Sequence, residues 1–242
     1  MASVWDPSLG KGGFAEYSGL RKADVVYRQL RQEIIGGQYL PGAELTVSLL
    51  TQRIGVSKQP VMDALRRLQE NDFVVVVPQV GVFVTKPTVA DAEDFYRVWS
   101  ASEGVVAGMA ADRRSEDEVE KLRLAVHGLS QILQSHNEDV VNGYIERNRQ
   151  IHRFIYEMAG SMTVLRLALN AWDRSDFLIA MSGVNIERDR MHEADAEHHE
   201  LLDAISQRSV RKARDITERH VMATGSIVVD AMKRSAVEQP SE

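Results

Sequence analysis

The spacing of apolar residues changes period along the chain. Val26, Leu30, Ile34 and Ile35 recur at helical spacing and stop at Gly36-Gly37, where two successive glycines end a helix. The stretch LTVSLLTQRIGVSKQPVMDALRRLQ, residues 45–69, then places two short amphipathic helices around Ile54-Gly55-Val56-Ser57, with Gly55 at the tight corner. After it the period drops to that of strands. Phe73-Val74-Val75-Val76-Val77 and Val80-Gly81-Val82-Phe83-Val84-Thr85 are β-branched runs joined by a short turn with Gly81, a hairpin signal. Three helices, the last two in a helix-turn-helix, followed by a hairpin make a winged helix.

From about residue 88 the pattern is helical throughout, and the only proline is Pro240. It predicts six helices, over 89–113, 115–135, 138–159, 161–181, 187–207 and 209–235. Gly160, Gly183 and the polar pair Gln207-Arg208 mark breaks. Glu116, Asp117 and Glu118 suit the positive dipole end of one helix, and Lys233 and Arg234 the negative end of the last. Six such helices bury a common core as a bundle. The expected fold is therefore mainly α, an N-terminal winged helix-turn-helix followed by an all-α bundle. The expected divisions are a flexible, glycine-rich arm (1–20), the winged helix (21–87), the bundle (88–236) and a short tail (237–242).

Charge bears on what the first module binds. Between Arg21 and Lys86, nine basic residues face six acidic ones, a net +3 in a chain whose total is −6, so the remainder carries −9. A helix pair followed by a hairpin occurs in many folds, but a basic module on an acidic body is what a phosphate-binding domain attached to a domain with another task looks like. Double-stranded DNA is the expected partner.

The bundle carries a second constellation. Asn148 and His152 stand four residues apart, hence on one helix face, among Ile145, Ile155 and Ala159. His198 shares its face with Leu201, Leu202 and Ile205, whereas the adjacent His199 shares its own with Asp203 and Ser206. His220 lies with Ala213, Ile216, Ala223 and Ile227. Three imidazoles and an amide oxygen from three helices are thus expected to point inward. A single inward histidine is usually a core residue with a satisfied hydrogen bond; three together suit zinc, nickel or copper, with coordination positions left open. His127 and His136, without partners, and His192, beside Glu193 and Asp195, are expected at the surface.

Both halves resemble a known family. Pro41-Gly42, Gly55-Val56-Ser57, Pro60-Val61, Ala64-Leu65-Arg66-Arg67-Leu68 and Gly81 resemble the GntR family of bacterial transcriptional regulators. The resemblance implies that the helix from Lys58 lies in the major groove, with Lys58, Gln59 and Pro60 at its DNA-facing start and the wing near Gly81 at the minor groove. Ser57 fits the N-cap, and Pro60 falls in the first turn, where a missing N–H costs little. Arg31, Ser48, Met62, Arg66 and Gln79 complete the expected DNA-contacting set. Relatives often carry arginine at the positions of Lys58 and Met62 and a basic residue at that of Ser48. Lysine cannot make the bidentate fork to guanine and methionine offers only apolar contact, so an unusual or weakly read operator is expected. Arg66 and Arg67 suit solvated or phosphate-contacting roles at least as well as base readout.

The second half resembles the FCD ligand-binding domain of the FadR-type branch, through Asn148-x-x-x-His152, Glu197-His198 followed by Leu201, Leu202, Ala204 and Ile205, and then His220. In metal-binding members these positions hold an Asp or Asn and three histidines around a divalent metal beside an effector pocket. Asn148 stands where aspartate is common, which weakens the metal site and favours an anionic ligand. Trp99 stands where relatives often have arginine, so the ligand has an apolar part or another cation, Arg149, Arg153 or Arg174, holds its carboxylate. Trp99, Glu103, Arg149 and Arg174 form the expected effector pocket, although Trp99 also suits plain core.

The chain has no cysteine, hence neither disulfides nor thiolate ligands, and neither a membrane-length apolar run nor a signal peptide, so a cytoplasmic protein is expected. The reading that results is a homodimeric, non-enzymatic regulator, a repressor whose operator affinity is set by a small carboxylate at a divalent metal, zinc or nickel. Two alternatives stand beside it: a regulator with purely structural histidines, and a metal-dependent hydrolase. The hydrolase lacks a His-Glu-x-x-His motif and a clear buried general base, Glu197 being turned away from His198.

Overall fold

The computed structural model of the chain describes residues 21–135, 140–184 and 188–238. These form two compact units, one holding the described residues up to Thr88 together with Asp173–Gly183, the other holding Val89–Trp172 and the described residues from Val184 on.

In the first unit, α1 (Lys22–Ile35), α2 (Val47–Ile54) and α3 (Lys58–Glu70) precede a hairpin of β1 (Val74–Val77) and β2 (Gly81–Val84). The apolar stripe of α1, Val26, Leu30 and Ile34, is fully buried, as are Val61, Leu65 and Leu68 of α3 against which that helix packs. Each such side chain stabilises the unit by about 1.5–3 kcal/mol relative to exposure. Gly55 follows α2 in the left-handed region at φ 75°, so the helix-turn-helix corner needs a residue without a Cβ. Ser57 occupies the N-cap position of α3 but makes no side-chain capping hydrogen bond.

The wing departs from expectation in two respects. Its left-handed residue is Gln79, at φ 60°, in the turn Pro78-Gln79-Val80. Gly81 instead opens β2 opposite Val77, where a Cβ would lie 3.3 Å from the Phe83 ring. A side chain here would push the Phe83 ring by a few tenths of an ångström, so the glycine relieves packing rather than making the turn. In addition, the short segment before α2 pairs with β2: the Leu45 amide donates to the Val82 carbonyl (2.7 Å) and the Val84 amide to that of Ala43 (2.8 Å). Two or three residues are too few to leave a periodic trace in sequence. Residues 173–183 complete this unit, with Phe177 edge-on to Phe73 at 5.2 Å between ring centroids and Asp173 paired with Arg31.

Among the described residues, six helices follow the hairpin: α4 (Val89–Arg113), α5 (Glu116–Gln134), α6 (Val140–Met158), α7 (Met162–Ser182), α8 (Arg188–Ser206) and α9 (Val210–Glu238). All begin and end within three residues of the boundaries the pattern predicts. A capping box starts α5, the Ser115 hydroxyl accepting from the Glu118 amide while Glu118 accepts from the Ser115 amide. With neither glycine nor proline between Gly225 and Pro240, α9 runs on to Glu238, into the stretch expected as tail. The second unit's core is built from Leu122, Val126 and Leu129 of α5, Ile151 and Ile155 of α6, and Leu202 and Ile205 of α8. Along its longest seam, α4 against α9, Gly225 lets the helices close on Tyr96, which is fully buried. Ile145, expected inside, is 44% exposed, because Val140 and Tyr144 carry the buried face of α6 at this end. The N-terminal arm, His136 and Pro240 lie outside the described residues.

Candidate functional site

Three helices of the second unit bring the predicted histidines together. His152 of α6, His198 of α8 and His220 of α9 each offer a ring nitrogen, and these atoms all lie within 4.8 Å of one another. All three side chains are buried, and their ring centroids stand 4.8–5.5 Å apart. Nε2 of His152, both nitrogens of His198 and Oδ1 of Asn148 are buried with no hydrogen-bond partner. Such atoms ordinarily cost stability, because they lose water and gain nothing in return. Burial holds the pKa of His198 well below the usual imidazole range, and the neighbouring rings of His220 and His152 lower it further. Burial does the same for His220, assisted by His152 and by the guanidinium of Arg190. The two rings are therefore neutral at physiological pH, the state in which an imidazole lone pair can bind a cation.

Two carboxylates flank this centre. Oε2 of Glu197 lies 2.7 Å from Nδ1 of His220 and also accepts from Nη2 of Arg190 at 2.9 Å. The same guanidinium nitrogen donates to the His220 carbonyl at 3.0 Å. Glu103, 3% exposed, accepts from the Tyr156 hydroxyl (2.8 Å) and from Nε1 of Trp99 (3.1 Å), with His152 Nδ1 3.8 Å from its Oε2. Burial, with the Glu103 charge beside it, pushes the Tyr156 phenol well above its usual value, so it stays protonated and can donate. Trp172 packs edge-on to His152 at 4.8 Å and donates to the Tyr156 oxygen. An aromatic wall of Trp99 and Trp172, 5.7 Å apart, thus adjoins the imidazoles.

Sequence reasoning named the three histidines and Asn148 but missed Arg190, Tyr156 and Trp172, and underrated Glu197. Glu197 does turn away from His198, its chain neighbour, but reaches His220 on the next helix. The available signals were spacings: Tyr156 follows His152 by one turn, and Glu197 follows Arg190 by two. Of the expected effector residues, Glu103 stands 3.8 Å from His152, Trp99 donates to Glu103, and Arg149, the chain neighbour of Asn148, is half-buried. Arg174 belongs to the first unit, where its guanidinium lies over Phe177 at 5.1 Å and donates to the Asp72 carbonyl at 2.8 Å. Arg153 donates to Glu157 at 3.0 Å. His127 and His192 are exposed as expected, but His127 has a partner, His199, whose ring lies edge-on 5.5 Å away.

On the first unit, Ser48, Ser57, Lys58, Gln59, Met62, Arg66 and Gln79 are exposed, while Pro60 and Gly81 are half-buried. Lys58, Met62 and Arg66 line one exposed stripe of α3. Asp63 accepts from both Gln59 (3.0 Å) and Arg66 (3.2 Å). Arg31, expected to contact DNA, has a side chain 15% exposed that pairs with Asp173. Arg67 likewise serves the module, pairing with Asp24 at 2.5 Å and lying 4.1 Å above the Tyr27 ring.

Residues 22–84 match the family of bacterial regulatory proteins, gntR family, and residues 94–223 match the FCD domain. The chain belongs to the GntR family, in its FCD-containing, FadR-like branch. This GntR regulator is 24% identical over 210 residues to the HTH-type transcriptional repressor GlaR of Escherichia coli, covering 85% of this chain and 95% of the relative. It is 22% identical over 200 residues to the HTH-type transcriptional regulator YdhC of Bacillus subtilis, covering 81% and 84%. Among solved structures, E. coli McbR/YncC superposes with a TM-score of 0.71 at 19% identity, over 87% of this chain and 98% of that one, a likeness of fold. This regulator is accordingly a DNA-binding transcription factor, not an enzyme. Among the described residues, no helix is long and apolar enough to cross a membrane.

Proposed function

We propose that this regulator is a cytoplasmic homodimer that represses transcription, and that a small carboxylate bound at a divalent metal in the bundle controls its hold on the operator. In this reading residues 21–87 contact DNA and residues 88–236 sense the effector. Asn148, His152, His198 and His220 hold zinc or nickel. The observation that carries it is the set of unpartnered buried atoms, Asn148 Oδ1, His152 Nε2 and both nitrogens of His198, among three mutually close imidazoles. A donor set of neutral nitrogens and an amide oxygen fits a borderline cation and leaves its charge uncompensated. When bound, the metal supplies that charge and open positions for a carboxylate oxygen. The chain's own residues shape the rest of the pocket: Trp99 and Trp172 exclude water from the imidazole face, and Arg149 supplies a nearby cation. Exposed Lys58, Gln59 and Met62 read the major groove and Arg66 contacts phosphate, with Ser48, Ser57 and Gln79 at the margins. Control then requires the effector to bind one conformation better than another, a coupling of about 1–3 kcal/mol. Repression is supported by the relative GlaR, which is named a repressor.

The test is thermal unfolding of chelator-stripped protein with zinc or nickel, alone and then with a panel of small carboxylates, alongside anisotropy on a DNA selected from a random pool. A ligand of the native state raises stability by RT ln(1 + [L]/Kd). Stabilisation by metal, enlarged by one acid that also releases DNA, is expected. No response to metal would assign the histidines a structural role.

A further inference from the structure

The three imidazoles do not stand on equal terms with their surroundings. His198 has both ring nitrogens unpartnered, and His152 has only the 3.8 Å approach of Glu103, whose oxygens already serve Tyr156 and Trp99. His220 alone has a short bond to a carboxylate, 2.7 Å from Nδ1 to Glu197. The Glu197 oxygen it meets also accepts from Arg190, which is 5% exposed and anchored on the His220 carbonyl itself. An oxygen held by a guanidinium is an acceptor, so the imidazole nitrogen facing it has to donate. A neutral ring has a single N–H, and placing it on Nδ1 leaves the lone pair on Nε2.

We propose that Glu197, braced by Arg190, is a positioning residue that fixes His220 as its Nδ1–H tautomer and so makes Nε2 the ring's ligand atom. This rests on the metal-site reading above for its purpose, but the tautomer is a property of the metal-free protein. The arrangement pre-orients one of three ligands before any cation arrives, and the electron-rich carboxylate behind the ring raises its donor strength. Arg190 links the two ends of this device, since one of its nitrogens touches both Glu197 and the backbone of His220. The register of α8 on α9 is thereby coupled to the orientation of the ring.

Two-bond proton–nitrogen correlation spectra of 15N-labelled, metal-free protein, with His220 assigned by its loss in His220→Gln, identify which nitrogen carries the proton. The expected result is Nδ1–H in the wild type, a mixture or Nε2–H in Glu197→Ala, and retention of Nδ1–H in Glu197→Gln, whose amide oxygen still accepts. Zinc affinity from chelator competition should fall about 10–100-fold in Glu197→Ala and recover in large part in Glu197→Gln. Because Glu197→Ala strands a buried guanidinium, the double variant Arg190→Met/Glu197→Ala provides the same test with both charges removed. An Nε2–H wild-type ring, or an unchanged tautomer and zinc affinity in the alanine variants, would overturn the proposal. A wild type that shows Nδ1–H yet binds no zinc would overturn the metal reading and leave the tautomer assignment standing.

Discussion

Replacing His198 by leucine should reverse its effect on stability according to whether metal is present. In the metal-free protein both nitrogens of this ring are buried without partners, and its side chain is 1% exposed. An unsatisfied buried polar group costs about 1–3 kcal/mol, whereas an apolar group of similar volume carries no such cost. Leucine differs in shape from imidazole, so repacking offsets part of the gain. His198→Leu should therefore unfold up to about 2–12 °C higher than wild type in chelator, taking roughly 1–3 kcal/mol at 2–4 °C per kcal/mol. With free zinc at about a thousand times its Kd, wild type gains about 4.1 kcal/mol and overtakes the variant, which lacks a central ligand. Calorimetry in chelator and in a zinc buffer measures both arms. A variant less stable than wild type in chelator would mean that the His198 nitrogens are satisfied in solution. An undiminished zinc response would place the ion elsewhere.

Other expectations follow from the same geometry. His198 and His220 have folded pKa values depressed below the unfolded value of about 6.5, so the unfolded chain takes up protons first and stability rises with pH. Their contribution is complete above about pH 6.5 and is lost as pH falls from there toward the folded values, at up to roughly 1.4 kcal/mol per pH unit for each ring. Melting of the chelated protein from pH 7.5 to 5 should show this slope, and His198→Leu should flatten it; a Tm that rises on acidification would refute it. Gly225→Ala places a Cβ 2.5 Å from Cγ of Tyr96 on the α4–α9 seam. Overpacking of about 1–3 kcal/mol should outweigh the roughly 1 kcal/mol that alanine gains over glycine in a helix, lowering Tm. Gly104→Ala places a Cβ 2.6 Å from Cγ of Glu218 and 3.1 Å from Cγ of Arg214, atoms close to the α9 backbone, and should lower Tm as well. Arg66→Ala should weaken DNA binding across sequences, reduce its salt slope by about 1 and leave Tm unchanged. Arg67→Ala, which removes the Asp24 pair and the Tyr27 contact, should lower Tm of the winged helix instead.

Much of this protein was legible from local pattern. Periodicity places the helices because each must hide an apolar stripe, and the α3 stripe Val61, Leu65 and Leu68 is buried as that requirement demands. Gly55 marks its corner because only a residue without a Cβ takes φ 75° at little cost. The inward histidines were readable for the same reason, as polar residues at apolar positions of three separate helices.

What the chain's pattern does not encode is which faces meet. The partners of His220 and His152, Glu197 with Arg190 and Glu103 with Tyr156, are contacts across helices, fixed by how α4, α6, α8 and α9 pack. Arg31 and Arg174 read as available cations because charge is visible in sequence, whereas their commitment to Asp173 and to the Asp72 carbonyl depends on residues about a hundred or more positions away. Gly81 read as a turn residue, yet what crowds a side chain there is the Phe83 ring, two residues along the same strand. Local propensity is a property of a few neighbouring residues and survives translation into sequence. A hydrogen bond between distant segments exists only once the apolar stripes have chosen their partners, and that choice belongs to the tertiary structure.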